Sequence, residues 1–513
     1  MKTLKKFILN GMIMTCTSLF LRLIGIMFNT YVSNRLGSEG MGVYTLVQSV
    51  FGFAITFSCS GINLGTTRLV SEALANECWG DVKASLRKCI MYALSFSFVA
   101  MLFLFCGADF VGNKILGDKR TVKAVRILAI CLPFISLSTV FNGYFSAVRR
   151  AYKSALVFIF EQFIQVFLIV RLLGVFALKN VEYACVVVAL GTLVSESLSM
   201  LYNLILCFVD FRKNATDLKG GSKCLTRKLL KISIPLALST YVRSGLLTVE
   251  HLLIPYGLRK NGSSYSVAMS TYGVVQGMVF PIIMFPSCII YSFSGLLVPE
   301  LAALNERCEF EKINKAISNV IYYSLFFSIG VSGIMLCYAY ELSMVFYNSA
   351  EAYEYIRLFA PLIVVMYLDG AIDGILKGLN EQLHSMKINI ADALISVLLV
   401  YFLVPYLGVK GYIIAIFVCE IFNCTMSLMR LVKISQPQIS VISFIFKPIV
   451  AILISTWCVV FVFELLNITV FGAEINLSLR IVVTVLLYMF LLFCERKRIS
   501  VFCLGAKKLK KHS

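Results

Sequence analysis

Apolar residues fill this chain in blocks of about 20, the length a helix needs to cross a bilayer. About fourteen such blocks can be laid down, at 8–32, 44–66, 89–111, 124–147, 155–176, 184–208, 232–256, 270–297, 318–346, 355–376, 388–407, 411–431, 444–466 and 477–494. They fall into groups of six, six and two, with a strongly basic stretch at 210–231 after the sixth.

The two groups of six echo each other. The fourth block ends GYFSAVRRAYKSA from Gly143, and the tenth ends GILKGLNEQLHSM from Gly374. Eighteen residues beyond each glycine stands a carboxylate, Glu161 or Asp392. Each half then reads Leu-Gly-Val, at 173–175 and 407–409, before a sixth span with a central glutamate, Glu196 or Glu420. Arg22 and Arg243 occupy the first span of each half. Both halves start on one side with six spans, so the repeat is parallel, about an axis along the membrane normal. Transporters built this way hold substrate between the halves and rock them alternately open. The expected fold is an all-α polytopic membrane protein of about 14 helices. Its parts are an N-lobe at 1–209, a linker at 210–231, a C-lobe at 232–431, two extra helices at 444–494 and a basic tail at 495–513.

Composition agrees. The 513 residues are 59% hydrophobic and 14% charged, with a mean hydropathy of +0.86, which excludes an ordinary soluble chain. The net charge of +20 would point to nucleic acid in a soluble protein; its distribution here points to topology. With the N-terminus inside, the inner loops hold roughly 32 Lys and Arg and the outer loops roughly nine, as the positive-inside rule requires. Both termini are then cytoplasmic, and no nucleic acid is implied. The opening MKTLKKFILNGMIMTCTSLFLRLIGIMF lacks a small-residue cleavage site and carries Arg22 inside its apolar stretch, so it reads as a retained span. The 17 Cys form no C-x-x-C pair and only three His are present; packing explains these Cys, and no metal or other cofactor is expected. No phosphate loop, H-E-x-x-H or nucleophile motif appears. The chain is not expected to be an enzyme.

Nine of the ten Pro follow the linker, among them Pro235, Pro255, Pro281 and Pro286. Pro removes a helix hydrogen bond, so bending is expected in the second half.

The candidate chemistry is the set of charges at membrane depth. A cation near the middle of a span costs several kcal/mol, roughly 2.5–3.5 on insertion scales, unless it faces a cavity or a partner. Arg22 and Arg243 stand at comparable depth in matching spans. They suit an anion, because Arg pairs two-pronged with phosphate oxygens; structural ion pairs with Glu196 or Glu420 are the alternative. Arg126, Arg171, Arg357 and Arg480 lie nearer span ends, where snorkelling explains them. Asp369 and Asp373 share a helix face, with Gly370, Gly374 and Gly378 spaced for close packing. They are candidates for a coupling cation or sugar hydroxyls, against local pairing with basic residues. Glu161, Glu196, Glu250, Asp392 and Glu420 complete the set. Glu250 and His251, being adjacent, point to different helix faces, which argues against a joint proton relay.

The segments GINLGTTRLVSE (61–72), FNGYFSAVRRAYKSALVFIFEQ (141–162), STYGVVQGMVFPIIMFPSCIIYSFSGLLVPELA (270–302) and IRLFAPLIVVMYLDGAIDGILKGLNEQ (356–382) resemble those of the stage V sporulation protein B and polysaccharide-biosynthesis family. That family sits in the multidrug/oligosaccharidyl-lipid/polysaccharide exporter superfamily with the lipid II flippases. The resemblance implies two six-helix lobes in a V around a cavity, and movement of undecaprenyl-pyrophosphate-linked sugars across a bacterial plasma membrane. It also implies that Arg22, in the context Leu21-Arg22-Leu23-Ile24-Gly25, serves the pyrophosphate, with Arg243 as its counterpart. Three positions depart from the family pattern: Asn63 where Pro is frequent, Gln165 where Arg is frequent, and Phe28 where lipid II flippases place a second Arg. Lipid II itself is therefore not assigned.

The expected function is a lipid-linked oligosaccharide flippase working by alternating access. Its polyprenyl tail would lie in lipid beside spans thirteen and fourteen, and Na+ or H+ would couple through Asp369, Asp373 or Glu161. The competing readings are a multidrug exporter, which would favour carboxylates and aromatics over arginines, and a non-transport scaffold of envelope or spore assembly.

Overall fold

A computed structural model describes residues 2–75, 79–176, 181–214, 225–307, 309–435, 442–465 and 472–509. Residues 215–224 of the basic linker, and Lys510 and Lys511 of the tail, lie outside the described residues. Among the described residues all regular structure is helical. The principal helices are α1 (Lys2–Cys59), α2 (Ile62–Ala75), α3 (Trp79–Cys106), α4 (Val122–Ala147), α5 (Ala151–Phe176), α6 (Val181–Asn214), α7 (Leu225–Lys260) and α8 (Tyr265–Tyr272). They continue as α9 (Ser287–Glu306), α10 (Phe310–Cys337), α11 (Ala350–Phe359), α12 (Leu362–Gly378), α13 (Gln382–Leu407), α14 (Val409–Ile434), α15 (Lys447–Leu465) and α16 (Ala473–Leu509).

By length and composition, twelve stretches among the described residues can cross a membrane, or thirteen if α11 and α12, bent by 58°, form one span. The sequence blocks do not all emerge as separate straight helices. The first two run together in α1, broken at Gly37 (φ 71°), a backbone angle that glycine adopts without a Cβ penalty. The eighth block, 270–297, is divided at residues 285–286, where Pro286 cannot donate to the preceding turn. Four of the irregular points lie in the second half: a π-helical stretch at Gly273–Val279, the break at 285–286, the α11/α12 bend and a second π-helical stretch at Ile442–Phe446. The first half has the Gly37 break in α1 and a π-helical stretch at Val111–Ile115. Pro235 and Pro255 sit inside the continuous α7.

The chain forms two compact units. Unit 1 comprises Met1–Met278 with Asn389–Ile416, and unit 2 Val279–Ile388 with Phe417–Ser513. In unit 1, α4 packs on α2, α3 and α6, and α1 packs on α5, α7 and α8. Ile62, Leu69, Val70, Ala93, Val140 and Tyr144 form the centre of one core there. Gly143 lets α4 approach α2 closely, since a Cβ would stand 2.8 Å from the Asn63 carbonyl oxygen. In unit 2, α12 packs on α9 and α10, and α15 on α10 and α16. Gly370, Gly374 and Gly378 meet Tyr291, Ser294 and Leu301 of α9, the close approach that their four-residue spacing anticipates.

Candidate functional site

The second limb of α1 and the helix α7 run antiparallel along a seam of hydroxyls in unit 1. Ser233 donates to Gly61 O, Thr240 to Ser60 Oγ, Tyr241 to Phe57 O, Ser244 to Thr56 Oγ1 and Thr248 to Ser49 O. These bonds hold the backbone of α7 at Arg243 to one register against α1. Arg243 itself turns off the seam and is exposed. Arg22, on the first limb of α1, is also exposed.

Neither arginine makes an ion pair or hydrogen bond with a described residue. Within unit 1, the anticipated alternative of pairing with Glu196 is absent among the described residues. A Cβ on Gly25 or Gly52 would meet nothing within 4 Å, so there is open space one turn from Arg22 and one turn from Thr56. At 1.5 Å per residue, Arg22 lies roughly 22 Å and Thr56 roughly 28 Å along the helices from Gly37, so the arginines differ by about 6 Å in depth.

Toward Gly37 the same helices close tightly. Asn29 donates to Gly277 O at 2.8 Å, seven residues and thus two turns from Arg22 on the same face. Gly42 and Gly273 touch through their backbones, and a Cβ on either would overlap the other segment. An ionic cluster covers this end. Arg120 bonds Asp118 at 2.8–3.0 Å and Glu39 at 2.8 Å, Tyr265 donates to Asp118 at 2.9 Å, and Ser266 donates to Glu39 at 2.5 Å. The Ser266 hydroxyl, then Arg120, hold Glu39 below its ordinary value. Burial pushes Asp118 up, but the hydrogen bonds from Arg120 and Tyr265 outweigh it and leave its pKa lowered.

The carboxylates separate into distinct settings. In unit 1, Glu161 on α5 accepts from Ser199 of α6 at 2.6 Å, and Glu196 lies within the electrostatic reach of Glu161. Glu250 bonds Ser396 of α13, whereas its neighbour His251 meets Tyr272 Oη at 3.1 Å through Nδ1; the two use different partners. Gln276 donates to Tyr412 at 2.7 Å. Asp392 is half-buried on α13. In unit 2, Asp369 and Glu420 both lie near Cys424. Asp373 pairs with Lys377 at 2.5 Å and accepts from Ser385, so it is engaged locally with a basic residue. Asp369 and Asp373 therefore have different partners although one turn apart.

Two polar clasps were not legible as sites. At the ends of α4 and α6, Asp210 accepts from Tyr144 at 3.0 Å, from Lys153 at 2.5 Å and from Arg150. Here α6 continues to Asn214, beyond the linker start expected at 210. Between α12 and α14, Arg430 grips both oxygens of Glu381 at 2.8–3.2 Å, and His384 lies 2.9 Å from the same carboxylate.

A family model described as polysaccharide biosynthesis protein matches residues 8–288, more than half of the chain. The chain belongs to that family. A second model, MatE, matches residues 262–402. Stage V sporulation protein B of Bacillus subtilis (strain 168) is 26% identical over 424 residues, 80% of each chain. Sporulation protein YkvU of the same organism is 19% identical over 405 residues, 78% of this chain and 88% of that one. Among solved structures, lipid II flippase MurJ in an inward closed conformation superposes with a TM-score of 0.71 at 12% identity, over 94% of this chain and 98% of that one. An inward-facing multidrug resistance MATE family transporter of the MOP superfamily superposes at 0.63 with 17% identity, over 80% and 95%. The fold is shared with these solved structures, and the chain is a multi-pass membrane protein of the polysaccharide biosynthesis family.

Proposed function

We propose that this transporter flips a polyprenyl-pyrophosphate-linked glycan from the inner to the outer leaflet of a bacterial plasma membrane, with both termini cytoplasmic. The observation that carries the reading is the pair of span-embedded arginines, Arg22 and Arg243, exposed and without an ion-pair partner among the described residues. An unpaired guanidinium at that depth is costly unless an anion meets it. A pyrophosphate offers the oxygens that guanidinium groups grip two-pronged.

On this topology the Gly37 end faces outward, so its ion cluster and glycine contact close the outer side while the arginines are reached from inside. The head group enters, the phosphates settle on Arg22 and Arg243, and the six-helix halves at 1–209 and 232–431 rock to release it outside. The polyprenyl tail stays in lipid. A mainly apolar cleft of about 320 Å³ in unit 2, lined by Phe446, Lys447, Val450 and Ile454 of the α15 segment and Leu491 and Leu492 of α16, has the chemistry to take an isoprenoid chain. Asp369, Glu161 and the other interior carboxylates supply the groups for coupling to Na+ or H+.

The MatE match at 262–402 favours a second reading, export of organic cations. Reconstitution of the full chain in proteoliposomes separates them. The proposal expects leaflet exchange of fluorescent polyprenyl-pyrophosphate sugars and no accumulation of organic cations; the reverse result overturns it.

A further inference from the structure

The interior of unit 1 holds a line of polar groups along one face of α6, of which the transport reading uses only Glu196. Glu196, Ser199, Asn203, Cys207 and Asp210 are spaced by three or four residues and so form one stripe on the helix. Ser199, Asn203, Cys207 and Asp210 are all at least nine-tenths buried. The stripe spans fourteen residues, roughly 21 Å. It starts at the Glu161/Glu196 pair and ends at the Asp210 clasp with Arg150, Lys153 and Tyr144.

Asn203 is the decisive member. It is wholly buried, and both its amide oxygen and its amide nitrogen lack a hydrogen-bond partner among the described residues. A buried amide with donor and acceptor both unspent is the chemistry that binds a small polar guest such as water. It stands one turn from Ser199, which donates to Glu161 at 2.6 Å, and two turns from Asp210.

The geometry points to a proton site at Glu196, loaded through α6: we infer that Glu161 and Glu196 share one proton, delivered from the Asp210 end past Asn203. Glu161, which accepts the Ser199 hydroxyl, keeps its charge; Glu196 takes the proton on a carboxylate oxygen and returns it the same way. Two carboxylates on packed helices, with Ser199 bonded to one and a turn from the other, do not both ionise readily where solvation is poor. Around Glu196, the titratable groups among the described residues are Glu161 from α5, Cys59 from α1 and Cys131 from α4. The guest is a proton and not a metal ion, because α5 and α6 run unbroken here. Their backbone carbonyls are committed within the helices, whereas sodium sites in transporters draw on unwound carbonyls. No group of three or more His, Cys, Asp and Glu suited to a metal occurs among the described residues.

This inference rests on the reading of the chain as an ion-coupled transporter, yet its test needs no glycolipid. Infrared difference spectra of the full chain in lipid, recorded against pH, follow the carbonyl stretch of protonated carboxyl groups. The expected result is a signal present at neutral pH, lost in Glu196→Gln, moved to lower pH in Glu161→Gln and unchanged when sodium replaces choline. After a pH jump, Asn203→Leu is expected to slow its return by about tenfold, near 1.4 kcal/mol on the barrier. A signal indifferent to both glutamate variants, or one displaced by sodium, overturns the site; an unaltered rate in Asn203→Leu overturns the path. Should a variant not fold, the sodium and pH titrations of the wild type decide alone. Failure of flipping with this signal intact leaves the proton site standing.

Discussion

The two clasps hold corresponding corners of the two repeats with opposite polarity. In the first, the long helix α6 contributes the anion, Asp210, and the turn after α4 and the first turn of α5 contribute the cations Arg150 and Lys153. In the second, the long helix α14 contributes the cation, Arg430, and the turn after α12 contributes the anion, Glu381. Asp210 and Arg430 each lie four residues from the end of their helix. The turns match as well, with Arg149 and Asn380, the residues before the clasping ones, both left-handed at φ 58° and 63°. Seven residues before each helix charge stands a buried asparagine, Asn203 or Asn423, with an unspent amide oxygen. What the repeat preserves at this corner is an ion pair closing a turn onto a helix; the sign is free. The difference that matters is burial. Asp210 is 1% exposed, whereas Glu381 and Arg430 remain 22% and 24% exposed, so water screens the second clasp more than the first.

That contrast orders the expected effects. Asp210→Ala strands the buried Tyr144 hydroxyl and Lys153 together, and is expected to destabilise by about 3 kcal/mol, the lower end for breaking a buried pair. Thermal unfolding in detergent, followed by loss of the monodisperse peak, reads this directly. Glu381→Ala removes a more hydrated partner and should cost about 1–2 kcal/mol in the same assay. If the sign is indeed free, Glu381→Arg combined with Arg430→Glu recovers most of that loss, and a double variant no better than either single one breaks the comparison. The smallest effect belongs to the Glu39/Asp118 cluster. Both carboxyls have lowered folded values. Their contribution is complete above the ordinary values of 4.5 and 3.8 and is lost as pH falls through the folded ones. Unfolding measured between neutral and acid pH should show about 1 kcal/mol of acid-side loss, reduced in Asp118→Asn to the part that Glu39 contributes.

Much of the fold lies in local pattern. Apolar blocks mark spans because backbone polar groups in lipid must bond within their own helix, and the Gly370, Gly374 and Gly378 spacing anticipated close contact with α9. Gly37 and Pro286 are single residues that merge or divide blocks, so a hydropathy count of about fourteen meets twelve or thirteen candidate spans. For the site, Arg22 and Arg243 could be singled out because a charge deep in an apolar run is conspicuous by itself. The clasps could not, since Asp210 and Lys153 lie 57 positions apart and Glu381 and Arg430 49; such pairs are joined only by helix packing. Asp210 was hidden further by the basic stretch beside it, which reads as linker. Ser396 and Asn203 carry no charge, and their roles at Glu250 and along α6 emerge only from burial and partners.

The account stands or falls on the two arginines. In proteoliposomes holding the full chain, flipping of fluorescent polyprenyl-pyrophosphate sugars is measured for wild type, Arg22→Ala, Arg243→Ala and the double variant. Exchange by wild type that drops at least about tenfold in each single variant and vanishes in the double one is predicted, each guanidinium–phosphate contact being worth about 1.5–3 kcal/mol. Exchange that persists unchanged in the folded double variant would contradict the anion site.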